Sequence, residues 1–206
     1  MKTSFLNKKQ LIFFEIVSIA VVLFFLFNSP TEKTDIDKKL LKNGDLILRK
    51  GKSPESFVVY TADKSADFSH IGMVVSKANK LFVVHAVPHK NKVLKKETIE
   101  QFLSKKNASK FAVYRANYSE KKLQTVTNNL IKFYNNKVVF DNQYNLLSNN
   151  KMYCTELVLK AFNNANINLD IKPTAFNYFL GKQHIILPSA FTKQPFYKVL
   201  LINNLN

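Results

Sequence analysis

Cys154 is the only cysteine of the 206-residue chain, and it lies where a polar, Asn-rich segment meets the start of an amphipathic helix. A thiol at a helix N-terminus is close to unpaired backbone N–H groups and to the positive end of the helix dipole, and both favour the thiolate. The same N–H groups can stabilise the oxyanion that forms on an attacked carbonyl. The sequence therefore predicts a nucleophilic Cys154 that titrates below the ordinary value of about 8.5, with an inert buried cysteine as the alternative.

Two of the four histidines, His70 and His85, lie in apolar runs that are typical of neighbouring strands, residues 70–75 and 81–87. The polar connection at residues 77–80 predicts a hairpin that brings the two imidazoles together. One would then act as the base for a thiol and the other would orient it. The alternative is a pair of histidines at the edge of the core, each hydrogen-bonded to backbone carbonyls.

The other two histidines, His89 and His184, occur in loop-like contexts and are interpreted as surface residues. A zinc site made of two histidines and Cys154 is formally possible, but nothing in the spacing favours it. No metal and no organic cofactor is expected.

The elements that must position these residues form a pattern of early strands and flanking helices, which predicts an α+β fold. Strands are predicted at residues 45–48, 70–75, 81–87, 111–115 and 197–202. Helices are predicted at residues 53–63, 97–103, 119–136 and 152–162.

Residues 1–30 differ from the rest: three lysines precede an apolar run at residues 11–27. This pattern predicts an N-terminal hydrophobic helix, an uncleaved signal-anchor, with a cleaved signal peptide or a buried core helix as alternatives. By the positive-inside rule the remainder would be exported, membrane-anchored on the extracytoplasmic or periplasmic face, or secreted if the segment is cleaved. Residues 31–42 are predicted to be a linker and short helix, followed by one domain at residues 43–206.

The formal net charge is +17, yet only two of the 31 basic residues, Arg49 and Arg115, are arginines. Proteins that bind nucleic acids usually depend on arginine for bidentate contacts to bases and phosphates, so a nucleic-acid partner is not expected. The single cysteine excludes an internal disulfide framework, and neither Gly-rich phosphate-loop pattern occurs. A basic surface is still compatible with anionic lipid or cell-wall polymers.

Three segments carry a family resemblance, in this order: residues 43–47 (NGDLI), 69–74 (SHIGMV) and 153–158 (YCTELV). Together they resemble the permuted papain-like amidases of the YaeF/YiiX type, members of the NlpC-like cysteine peptidase superfamily. Phe140-Asp141 is similar to an aromatic-Asp pair of that family. The resemblance runs from about residue 43 to residue 165, and more loosely to the end.

The resemblance implies a circularly permuted papain-like fold, with a small antiparallel sheet packed against helices. It implies that Cys154 is the nucleophile and His70 the general base. His85 occupies the position of a third polar residue, commonly Glu in the family and His in the related lecithin:retinol acyltransferase-like proteins. Glu156 is the competing orienter, but two residues along a helix is a rotation of roughly 200°, which directs it away from the thiol.

Asp45 and Tyr153 recur in these motifs and are candidates for binding substrate or supporting the site. Structural roles are equally open: Asp45 can cap a turn, and Tyr153 can pack or donate a hydrogen bond. The expected function is an exported, monomeric thiol hydrolase that cleaves an amide or ester bond of a small molecule, peptide or lipid through an acyl-enzyme. The alternatives are an acyltransferase on the same scaffold and a non-catalytic envelope protein that binds anionic lipid or cell-wall polymer.

Overall fold

The computed structural model describes residues 36–63, 67–88, 93–178, 181–193 and 195–203, together with Val17 and Leu205. The chain divides into two compact units, Met1–Lys33 and Thr34–Asn206, and every element below belongs to the second. The strands are β1 Leu46–Gly51, β2 His70–Lys77, β3 Lys80–His85, β4 Lys95–Thr98, β5 Ala108–Ala116, β6 Thr174–Tyr178, β7 Gly181–Ile185 and β8 Phe196–Ile202. The helices are α1 Pro54–Ala62, α2 Ile99–Phe102, α3 Glu120–Asn135 and α4 Cys154–Asn163, with short 3-10 turns at Lys38–Leu40 and Pro188–Thr192.

Six of the strands form an antiparallel sheet in the order β4-β3-β2-β1-β5-β8, and β6 pairs with β7 in a separate hairpin. The predicted hairpin between the histidine strands is confirmed, with Met73 opposite Val84 and Lys77 opposite Lys80. Its turn residues, Ala78 and Asn79, both have positive φ, 49° and 58°. This backbone matches the right-handed twist of the strands and fixes the hairpin register.

The sheet separates two apolar clusters because successive side chains of a strand point to opposite faces. On one face, Leu46, Leu48 and Met73 pack against the apolar stripes of α3 and α4. On the other face, Ile47, Val74 and Val83 pack against α2. The apolar stripe of the amphipathic helix that was predicted to follow Cys154 is fully buried; it consists of Leu157, Val158, Ala161 and Phe162.

The α+β prediction is therefore confirmed, and so is an antiparallel sheet packed against helices. The expected N-terminal hydrophobic helix falls on residues 1–30, which lie outside the described residues apart from Val17. In the part of the chain that the structure describes, no helix combines the length and the apolar character that a membrane span requires.

Candidate functional site

Two histidines meet at one end of the β2–β3 hairpin. His70 begins β2 and His85 ends β3, and both are buried, at 7% and 1% exposure. His70 Nε2 and His85 Nδ1 are 2.9 Å apart, within hydrogen-bond distance. Gly72 leaves room for the side chains of β3, because a Cβ at that position would lie 3.2 Å from His85 Cβ and 2.4 Å from Val83 Cγ1.

A carboxylate extends the histidine pair. His85 Nε2 lies 3.1 Å from Glu97 Oε2, and Lys95 Nζ lies 3.6 Å from the other oxygen of Glu97. The hydrogen bond with His85 lowers the pKa of Glu97 to about 2, so the carboxylate is ionised at neutral pH. His70, His85 and Glu97 therefore form a continuous hydrogen-bonded series across three adjacent strands.

Glu97 was missed by the sequence analysis, which placed residues 97–103 in a helix. The structure puts Glu97 in β4 and begins the helix at Ile99. Thr98 and Gln101 form a capping box at this point: Thr98 Oγ1 accepts from the Gln101 N–H, and Gln101 Oε1 accepts from the Thr98 N–H. That Thr-x-x-Gln pattern was the available signal for a helix start after Glu97.

The Phe102 ring packs against both histidines of this site and against Arg49. Its centroid lies 5.8 Å from the His70 ring and 4.9 Å from the His85 ring, the latter at 82°. The guanidinium carbon of Arg49 lies 4.3 Å from the same centroid. One buried aromatic ring therefore fixes the positions of both imidazoles and of a cation.

Burial keeps both imidazoles neutral. It lowers the pKa of His70 well below 6.5, and the nearby Arg49 charge lowers it further. Burial also lowers the pKa of His85, although the hydrogen bond to Glu97 opposes that shift.

Cys154 is the first residue of α4 and is partly exposed. Burial of the sulfur raises the pKa of the thiol to about 11, while hydrogen bonds from the backbone N–H groups of Ile71 and Thr155 oppose the rise. The predicted lowering of this pKa is therefore wrong, because loss of water outweighs the N–H groups of the helix terminus. Among the described residues, no hydrogen bond joins Cys154 Sγ to His70.

The candidate residues share one cavity of about 200 Å³. Its polar lining includes Arg49, His70, His85, Glu97, Tyr153 and Cys154. Largely apolar side chains from the end of β7, the segment after it and the segment before α4 complete the wall, among them Phe140, Tyr144, Ile185, Ile186 and Leu187. The cavity can hold a small, partly apolar group against the thiol.

Of the two residues predicted to bind substrate or support the site, Tyr153 lies at the cavity and Asp45 does not. Tyr153 lines the cavity, and its hydroxyl accepts a hydrogen bond from the Ile186 backbone N–H at 2.9 Å. Asp45 does not line the cavity; it accepts two hydrogen bonds from Arg115, at 2.7 and 2.8 Å, and one from the Lys42 N–H. Asp45 therefore has the turn-capping role that the sequence left open.

Glu156, the alternative residue for orienting the general base, is fully buried and does not line the cavity. It accepts a hydrogen bond from the Tyr153 N–H and pairs with Lys160 Nζ at 2.8 Å. Glu156 was not expected to orient the base, and the structure does not bring it into the cavity with Cys154. His184 is exposed, as expected, and His89 lies outside the described residues.

The fold is similar to that of a protein of known structure. The crystal structure of the metalloprotein yiiX from Escherichia coli O157:H7 superposes with a TM-score of 0.61 and 21% sequence identity. The match covers 77% of this chain and 96% of that one. Among curated proteins, none matches this chain significantly.

The polar residues of this cavity do not form the donor set of a metal ion. His70 Nε2 and His85 Nδ1 are directed at each other, and His85 Nε2 at Glu97, so these groups satisfy one another in series. Metal ligands instead direct their lone pairs at one common point, about 2.0–2.2 Å from each donor for zinc. Within the described ranges, no group of three or more His, Cys, Asp or Glu side chains converges in this way.

The family model of the permuted papain-like amidase enzymes, YaeF/YiiX, C92 family, matches residues 40–200. This range begins just before β1 and ends within β8, so it includes the six-stranded sheet and the helix that carries Cys154. A match of this extent covers the architecture and the cavity together. The chain therefore belongs to the permuted papain-like amidase family YaeF/YiiX, an amidase or peptidase kind of hydrolase.

Proposed function

We propose that the chain is a thiol hydrolase that cleaves an amide or ester bond through an acyl-enzyme, with Cys154 as nucleophile and His70 as general base. The observation that carries this proposal is the hydrogen-bonded series His70–His85–Glu97 in the cavity that also contains the thiol. The amidase family indicates a small-molecule or peptide substrate.

The hydrogen bonds assign the proton on each imidazole. Glu97 is ionised and only accepts, so His85 carries its proton on Nε2 and donates it to the carboxylate. His85 Nδ1 is then an acceptor, and His70 must donate to it from Nε2. The remaining nitrogen, His70 Nδ1, is left with a lone pair, which is the state that a general base requires.

The pKa values favour proton transfer during attack over a preformed ion pair. At neutral pH the thiol is protonated and His70 is neutral, because burial disfavours both charged forms. When a substrate carbonyl meets the sulfur, the proton passes from Sγ to His70 Nδ1. The resulting imidazolium is stabilised through His85 by the negative charge of Glu97.

The reaction then follows the usual course of thiol acyl transfer. The sulfur bonds to the carbonyl carbon, and backbone N–H groups beside Cys154 stabilise the oxyanion. His70 returns the proton to the leaving nitrogen or oxygen as the bond to carbon breaks. Water, deprotonated by His70, attacks the thioester carbon, and the acid and free thiol are released.

The proposal is tested with the full chain and p-nitrophenyl acetate as an activated ester. Cys154→Ser and His70→Ala should each remove nearly all hydrolysis, and intact mass spectrometry should detect an acetyl group on the wild type only. His184→Ala is the matched control for His70→Ala, because it removes an exposed imidazole outside the cavity. Full activity of Cys154→Ser would refute the assignment.

We further propose that the hydrolase domain lies on the extracytoplasmic face. The support is the lysine-then-apolar pattern of residues 1–30. A reporter fused after residue 206 should be active only outside the cytoplasm, and retention of the chain in membranes after a carbonate wash would favour an anchor over a cleaved signal. Reporter activity confined to the cytoplasm would contradict the proposal.

A further inference from the structure

Arg49 is a buried cation beside the proposed base. It lies on β1 directly opposite His70, and register partners in an antiparallel pair project from the same face of the sheet. The residue is only 9% exposed, yet it lines the cavity together with Cys154. Its guanidinium lies against the Phe102 ring, which holds it in place.

Within the part of the chain that the structure describes, the Arg49 guanidinium has donors without partners. It presents five N–H groups, and among the described residues the structure shows one hydrogen bond, from Nη1 to the Phe102 carbonyl oxygen. Nε is enclosed and has no partner within the described ranges of the chain. Leaving a buried, charged donor unpaired is costly, and the usual compensation is an anion held in bidentate contact.

The neighbouring carboxylate does not supply that anion. Glu97 is close enough to raise the pKa of Arg49, but its oxygens contact His85 and Lys95. No ion pair within 4.0 Å includes Arg49 in the described part of the chain. Burial lowers the pKa of Arg49 to about 10, so it still carries its charge at neutral pH.

We propose that Arg49 binds a carboxylate of the substrate beside the bond that is cleaved. This inference rests on the proposed function, because it defines the substrate class of the same site. In the proposed reaction, His70 returns its proton to the leaving group. Arg49 lies directly opposite His70 on the neighbouring strand, so a substrate carboxylate bound by Arg49 belongs to that leaving group. The substrates are therefore acyl compounds whose leaving amine or alcohol bears a carboxylate within a few bonds of the scissile carbonyl.

Among the described residues that line the cavity, Lys95 is the other permanent cation, and it is a weaker candidate. Its side chain is 34% exposed and lies 3.6 Å from Glu97, so water and that carboxylate already compensate its charge. The planar fork of an arginine also matches the two oxygens of a carboxylate, which a lysine ammonium cannot do. Lys95→Gln is thus the matched control for any general effect of positive charge.

The chain offers a direct assay, because it contains only two arginines. Arginine labelled with ¹⁵N gives two side-chain Nε–Hε signals, and Arg115, whose Nε donates to Asp45 at 2.7 Å, is the internal reference. Full-length Cys154→Ala, which cannot turn over a substrate, is titrated with N-acetylglycine and with the neutral N-acetylglycinamide. N-acetylglycine should shift the Arg49 signal with a saturating curve and leave Arg115 in place. An equal response to both compounds, or no response of Arg49, would overturn the proposal.

A second measurement separates this proposal from that of the nucleophile. Iodoacetate and iodoacetamide differ in charge but alkylate the same thiol, and the ratio of their rates cancels any change in the pKa of Cys154. Arg49→Gln should lower the iodoacetate-to-iodoacetamide ratio at least about tenfold, Arg49→Lys should lower it less, and Lys95→Gln should leave it nearly unchanged. A ratio that Arg49→Gln does not alter would refute the carboxylate site while leaving the nucleophile intact. Resistance of the thiol to both reagents, with an Arg49 signal that still responds to N-acetylglycine, would refute the hydrolase and keep the anion site.

Discussion

The protonation state of Cys154 is open to a quantitative test, because alkylation by iodoacetamide measures the thiolate. A thiol with a pKa of about 11 is only about one part in a thousand ionised at pH 8. The alkylation rate of the wild type should therefore rise about tenfold per pH unit from pH 6 to pH 10, without a plateau. Intact mass gives the rate without ambiguity, since the chain has one cysteine.

His70→Ala separates the two possible resting states. No hydrogen bond joins His70 to the thiol among the described residues, so the variant should keep nearly the same alkylation profile while it loses ester hydrolysis. A preformed thiolate–imidazolium pair would behave differently, with a plateau below pH 8 in the wild type that disappears in His70→Ala. Observation of that plateau would refute the neutral resting state and the general-base sequence built on it.

Three further predictions concern His70 and Glu97, which line the cavity, and Asp45, which does not. Because His70 is buried and its pKa is lowered, the unfolded chain binds a proton below pH 6.5 that the native chain does not. The free energy of unfolding should therefore fall with decreasing pH, by at most about 1.4 kcal/mol per pH unit from this residue. Urea denaturation of His70→Asn at several pH values should show a smaller dependence of this free energy on pH. Glu97→Gln removes the charge that stabilises the imidazolium through His85, so kcat for ester hydrolysis should fall roughly tenfold to a hundredfold, and an unchanged kcat would contradict the proton assignment. Asp45→Asn should lower stability to urea by roughly 1.5–3 kcal/mol through its contact with Arg115 and leave kcat unchanged; lost activity in a fully folded variant would return Asp45 to the site.

The two best-predicted parts of the site depend on local sequence patterns. Apolar runs on either side of a polar turn predicted the hairpin of His70 and His85, and the change from a polar segment to an amphipathic stripe predicted the helix that begins at Cys154. The first pattern lies within two consecutive strands, and the second lies at the start of one helix. Hairpin register and helix start are fixed largely by the residues within them, so the sequence carries that information.

The missed residues depend on pairing between elements. Glu97 lies in a short edge strand with the composition Lys-Lys-Glu-Thr, which has no apolar alternation and runs directly into a helix. Arg49 is a site residue only because β1 pairs with β2 in a register that sets it opposite His70. The pKa of Cys154 likewise depends on tertiary burial, which no local pattern contains.

The three residues of the proposed base system come from one continuous stretch of chain. β2, β3 and β4 form an antiparallel meander, so His70, His85 and Glu97 are brought together by short connections with low contact order. The proposed nucleophile, Cys154, belongs to a much later segment, which is synthesised after the residues of the meander. The proposed site therefore needs a long-range contact between the meander and the helix of Cys154, and a chain that is truncated before Cys154 contains all three residues of the proposed base system but no thiol.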